Sequence, residues 1–64
     1  MLLKDVKPKM RVIYIPHHTN GDRNHPDAEH GIVSSTNEIY AFVLYDRSSR
    51  TFSKATHPSN LVSE

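Results

Sequence analysis

The sequence predicts an all-β domain: a single five-stranded barrel with one long polar loop and one 3-10 turn before its last strand. Three observations carry this. Residues 31–52, GIVSSTNEIYAFVLYDRSSRTF, alternate β-branched and aromatic runs with turn formers, which reads as three strands in a meander. Residues 10–15, MRVIYI, form a further strand between Pro8 and Pro16. Residues 58–62, PSNLV, suit a 3-10 turn followed by a short closing strand.

The 64 residues allow one domain, spanning 1–64, and one small core. A chain this short buries only about 60% of its unfolded surface. Many such domains add disulfides or a metal. There is no cysteine here, so disulfides and Cys-based zinc sites are excluded. Lys4, Asp5, Lys7, Lys9 and Arg11 interrupt the apolar residues of the N-terminus, which excludes a signal peptide or a membrane span there. The formal net charge of +1 is far from that of a dedicated nucleic-acid binder.

Residues 1–9 are a lead-in. Within it Leu2, Leu3 and Val6 either form one helical turn or cap the end of the barrel. In the first strand the pleat puts Met10, Val12 and Tyr14 on one face and Arg11, Ile13 and Ile15 on the other. Both faces are mostly apolar, as expected where a twisted strand is buried on two sides.

Residues 16–30, PHHTNGDRNHPDAEH, are the long loop. They hold four histidines, three acids and two prolines, with Ala28 the only aliphatic side chain, and loops of this length are often functional. Asn20-Gly21 tolerates positive φ and predicts a tight turn, with 15–19 running out and 22–26 running back as an irregular hairpin. Pro26 to Glu29 suit one helical turn. In the meander, Ile32 and Val33 open the first strand, Tyr40 to Tyr45 make the second, and Thr51 and Phe52 start the third, which Lys54 to Thr56 finish. Tyr14, Phe42 and Phe52 are expected in the core, with Tyr40 or Tyr45 half exposed.

This order of elements resembles an SH3-like barrel. Pro58-Ser59-Asn60-Leu61-Val62 resembles the 3-10 turn and last strand of SH3 domains, and the long loop takes the place of their RT loop. Gly31-x-Val33 followed by Tyr40–Asp46 is similar to the corresponding strands of Tudor-type and KOW-type barrels. The acidic aromatic motif of signalling SH3 domains and a groove-lining Trp are missing, so the resemblance implies an architecture and no binding site. The loop GDRNHPDAEHG before a GIVSS strand also resembles short bacteriophage and prophage proteins, in which a Cys is often expected at the position of Ala28. That resemblance implies a viral or prophage origin.

Three constellations carry candidate chemistry. The first is the loop surface: His17, His18, Asp22, Arg23, His25, Asp27, Glu29 and His30 are the candidate contacts to a protein partner. The second is a basic set, Lys7, Lys9 and Arg11 with Arg47, Arg50 and Lys54, which would hold phosphates in a weak KOW-like nucleic-acid binder. Ordinary solvated edge charge is the competing reading of these residues. The third is a zinc site: His25 and His30 with Asp27 or Glu29 converge at the base of the loop and His17 joins from its outgoing limb. His17 and His18 cannot both join if the chain there is extended. No zinc signature, nucleophile elbow or phosphate-binding glycine loop is present.

The sequence therefore favours a non-enzymatic binding module: a protein–protein interaction adaptor without a cofactor, cytoplasmic in a bacterial host. Nucleic-acid binding is the first alternative and zinc binding the second. No membrane partner is expected, and homodimerisation through edge strands remains open.

Overall fold

The computed structural model describes residues 1–47 and 52–64. Among them five strands form one antiparallel sheet: β1 (Arg11–Tyr14), β2 (Glu29–Thr36), β3 (Ala41–Tyr45), β4 (Lys54–Thr56) and β5 (Leu61–Ser63). Their spatial order is β4-β3-β2-β1-β5, so the first strand pairs with the last. The sheet curls into a half-barrel, with β4 and β5 at its two margins. Among the described residues there are also three single 3-10 turns: η1 (Leu3–Asp5), η2 (His17–Thr19) and η3 (Pro58–Asn60).

The inner face is set by pleat alternation. The register aligns Val12 with Gly31 and Gly31 with Tyr45, and in the next inner row aligns Val33 with Val43. Val12, Val33, Ala41, Val43, Tyr45 and Leu61 form the core with Val6 of the lead-in, and Met1, Met10 and Tyr14 pack against it. Tyr45 is buried, with its ring edge-on to Tyr14 at 6.1 Å and its hydroxyl 2.6 Å from Thr56 Oγ1. Burial therefore pushes the Tyr45 hydroxyl pKa up. Gly31 is the tight point of this row. A Cβ there would lie 2.7 Å from Leu44 O and 2.7 Å from Val43 Cγ1. β2 and β3 slip by one residue around Ser34, a β-bulge that re-pairs Ser35 with Phe42.

The first strand is buried on both faces, as its composition implies. Val12 faces the core, while Ile13 on the opposite face is also buried, between His30 and Val62 in the register.

Several expectations are corrected. Phe52 is not core: it is 73% exposed and lies before β4 rather than in a strand. Phe42 is only half-buried, because the core takes the alternate residues Ala41, Val43 and Tyr45. Of the two tyrosines Tyr40 is the exposed one and Tyr45 the buried one. The strand opening the meander starts at Glu29, not Ile32, because Tyr14 and Ile13 pair with Glu29 and His30. Pro26 to Glu29 therefore form a turn and a strand start instead of a helical turn. The second meander turn at Ser48 and Ser49, Arg50, and the strand start at Thr51 lie outside the described residues. Leu3–Asp5 do form one helical turn, of 3-10 type. The 3-10 turn at Pro58–Asn60 and the closing strand stand as expected, with Pro58 in the first turn and His57 accepting the Ser59 N–H.

Candidate functional site

The long loop is a chain of tight turns rather than a hairpin. Thr19 N–H donates to Pro16 O, Asn20 to His17 O, Asp22 to Thr19 O, His25 to Asp22 O and Ala28 to His25 O, each three residues back. The sequence explains why. Thr19 also donates its hydroxyl to Pro16 O at 2.8 Å, Asn20 and Gly21 take positive φ (53° and 81°), and Asp22 Oδ1 accepts the Asn24 N–H. Pro26 occupies the second position of the His25–Ala28 turn, where its fixed φ fits. The backbone groups thus satisfy one another locally and leave no ladder for two limbs to pair.

Two arginines fasten the loop to the sheet. Arg47, just past β3, donates to Pro26 O at 3.0 Å and Ala28 O at 2.7 Å. Arg23, within the loop, donates to Ser63 O on β5 at 2.6 Å. Ala28 is buried beneath this arrangement.

Beside an open cleft of about 470 Å³ along Arg23, His25, Pro26 and Arg47, the fastened loop creates two features. The first is a groove of about 360 Å³ between loop and closing turn, lined by Ile15, Pro16, His17, Asn20 and Gly21 on one side and Ser59, Asn60 and Val62 on the other. Ile15 N–H donates to Asn60 O at 2.8 Å, which ties the two walls together at the end of β1. The second is a cluster of His18, His25 and Asp27. His18 Nε2 donates to Asp27 Oδ2 at 2.8 Å, His25 Nδ1 lies 4.0 Å from the same oxygen, and the imidazoles meet edge-on at 5.8 Å. The His18 hydrogen bond holds the Asp27 carboxyl below its ordinary pKa.

The zinc set expected from the sequence is therefore not the set that converges. His18 replaces His17, because η2 rotates successive side chains by about 120°. That sends His17 to the groove and His18 to Asp27. His30 sits in β2 and bonds Glu64 Oε2 at 2.9 Å. Glu29 pairs with Tyr14 at the start of β2 and lines a separate cleft with Tyr14, Tyr45 and Thr56.

The basic set does not form one stripe among the described residues. Arg11 is held by Asp46 through two hydrogen bonds, at 3.1 and 2.6 Å, and by Glu64 at 3.1 Å. Arg47 is committed to loop carbonyls. Lys7 is exposed in the lead-in. Lys9 N–H bonds Val33 O, Val33 pairs with Val43, and Val43 pairs with Lys54. Lys9 and Lys54 thus stand on opposite sides of β2 and β3, about 14 Å apart at ordinary strand spacing. Arg50 lies outside the described residues.

The sequence reading missed Ile15, Pro16, Asn20, Gly21, Ser59, Asn60 and Val62. The signal that finds them is topological: once the last strand pairs with the first, the turn before it must sit beside the loop that follows β1. Among the described residues, no helix is long and apolar enough to cross a membrane. Comparison with family models, curated proteins and solved structures finds no match to this chain.

Proposed function

We propose that this chain is a non-enzymatic protein-binding module that takes an extended segment of a partner protein into the groove between the long loop and η3. The groove itself carries the reading. Its lining combines apolar Ile15, Pro16 and Val62 with hydrogen-bonding Asn20, Ser59 and Asn60, the mixture that holds a peptide backbone while seating a small apolar side chain. The turns and arginine pins keep the loop wall in place before a partner arrives, which lowers the ordering cost of binding. We read the half-barrel as SH3-like, since a long first connection and a 3-10 turn before the closing strand flank the groove. On this reading the chain is an adaptor of phage or prophage origin that works in a bacterial cytoplasm.

Nucleic-acid binding draws less support, because Arg11 and Arg47 already have protein acceptors.

The test is selection of a displayed random-peptide library on the immobilised protein, repeated on Ser59→Arg, which fills the groove from the η3 side. Peptides that bind the wild type and lose binding to a Ser59→Arg protein of unchanged Tm support the proposal. Recovery of no peptide, or of peptides indifferent to Ser59→Arg, refutes it. A short duplex that shifts Lys7, Lys9 and Lys54 amides at about 0.15 M salt, where charges are screened beyond roughly 8 Å, would transfer the function to nucleic acid.

A further inference from the structure

We propose that His18, His25 and Asp27 form a binding site for a divalent transition-metal ion, with zinc the ion that best suits their donors. One ligating atom from each residue lies within 4.8 Å of the other two. A tetrahedral zinc with bonds near 2.0–2.1 Å needs donor atoms about 3.3 Å apart. The 2.8 Å separation of His18 from Asp27 and the 4.0 Å separation of His25 Nδ1 from Asp27 bracket that spacing, and an ion held by His25 Nδ1 displaces the Asp27 N–H that this nitrogen accepts at 3.0 Å. All three side chains are at least one-third exposed, so an ion reaches them directly and small rotations set the distances.

The backbone beneath them is fixed independently of any ion. Thr19 holds η2 to Pro16, and Pro26 and the Arg47 pins hold the turn that carries His25 and Asp27. Two imidazoles and one carboxylate form the mixed nitrogen and oxygen set that selects zinc-like ions over magnesium or calcium, which take oxygen ligands. Three protein ligands leave at least one coordination position for water or for a donor from a partner. The site is distinct from the groove: the adjacent histidines of η2 divide, His17 to the groove and His18 to the ion.

The competing account is that His18–Asp27 is only a hydrogen bond bracing the loop. The experiment separates the two. The full chain, freed of metal by chelator, is titrated with zinc by calorimetry and with cobalt(II) by visible absorption. The proposal expects one ion per chain, a cobalt spectrum of nitrogen and oxygen ligation, and a higher Tm with zinc. His18→Ala and His25→Ala each weaken binding at least about tenfold, a loss of the order seen even for outer-shell changes. His17→Ala and His30→Ala bind as the wild type does. Ligating imidazoles must be unprotonated, so affinity also falls in mild acid.

Absence of a cobalt spectrum and of any zinc-dependent Tm rise overturns the proposal. So does a loss in His17→Ala or His30→Ala equal to that in His18→Ala. Ser59→Arg tests the groove alone and leaves metal affinity unchanged, so failure of one proposal is distinguishable from failure of the other.

Discussion

Replacing Gly31 with alanine tests the packing of the core at its tightest point. The added methyl would sit 2.7 Å from both Leu44 O and Val43 Cγ1, against the 3.4 Å at which ordinary contact begins. Each neighbour must therefore retreat by about 0.7 Å. Leu44 O belongs to the backbone of β3 and Val43 is completely buried, so neither retreats without disturbing the β2–β3 ladder. Overpacking of this kind costs about 1–3 kcal/mol, and contact with backbone places Gly31→Ala toward the upper end. An unfolding entropy near 2.1 cal/mol/K per residue then gives a fall in Tm of roughly 15–22 °C for about 2–3 kcal/mol. The whole domain holds only about 3–10 kcal/mol at this length, so the variant keeps a much smaller margin of stability.

The assay is thermal and urea unfolding followed by circular dichroism, with an unchanged m-value required for the comparison to stand. Gly21→Ala is the control. Gly21 has φ +81° and nothing within 4 Å of an added Cβ, so alanine there meets only backbone strain of about 1–2 kcal/mol. Gly21→Asn should recover part of that loss, because Asn tolerates the left-handed region. A Gly31→Ala protein within about 0.5 kcal/mol of wild type would refute the close approach of β2 to β3 and with it the inner-face assignment.

Leu61→Ala removes a fully buried side chain and should cost about 2–5 kcal/mol by urea unfolding. Phe42→Ala should cost less, and Phe52→Ala should stay within about 0.5 kcal/mol, because Phe52 is largely exposed. Acid should loosen the structure through two carboxylates. His30 and then Arg11 hold Glu64 below its ordinary value of 4.5, and His18 holds Asp27 below 3.8. Their contribution is therefore complete above those values and is lost as pH falls through the lower folded ones. Tm measured against pH should drop below about pH 4.5, and Glu64→Gln should flatten that fall. Arg47→Ala should lower Tm by roughly 4–11 °C, since a hydrogen-bonding group of this kind contributes about 0.5–1.5 kcal/mol. It should also speed amide exchange at Asp27 and Ala28. Unchanged exchange there would mean that Arg47 does not fasten the loop.

The strands and the closing turn were legible because period-two alternation and turn chemistry act locally. Ala41–Tyr45 bury alternate residues, and Pro58-Ser59-Asn60 folds as its short-range hydrogen bonds dictate. Phe52 misled because hydrophobicity says that a ring prefers burial, not that a strand reaches it. The core had already been filled by Val43, Tyr45 and Leu61. The choice between His17 and His18 turned on one unread fact: the chain there makes a 3-10 turn and is not extended, so the periodicity is three rather than two. The fate of Arg11 was also out of reach, since Asp46 and Glu64 meet it only after β1 lies between β2 and β5.

The pairing of the first strand with the last also governs when the loop acquires its shape. Both of its arginine fastenings depend on chain made later: Arg47 is itself downstream, and the Arg23 acceptor is Ser63. During synthesis the loop emerges before either partner exists, and β1 has to wait for β5 before its second edge is covered. Such distant pairings belong late in folding, after the local β2–β3 hairpin. The groove is therefore finished only when β5 is in place, and a nascent chain stopped before β5 would lack both its Val62 lining and the Ser63 fastening.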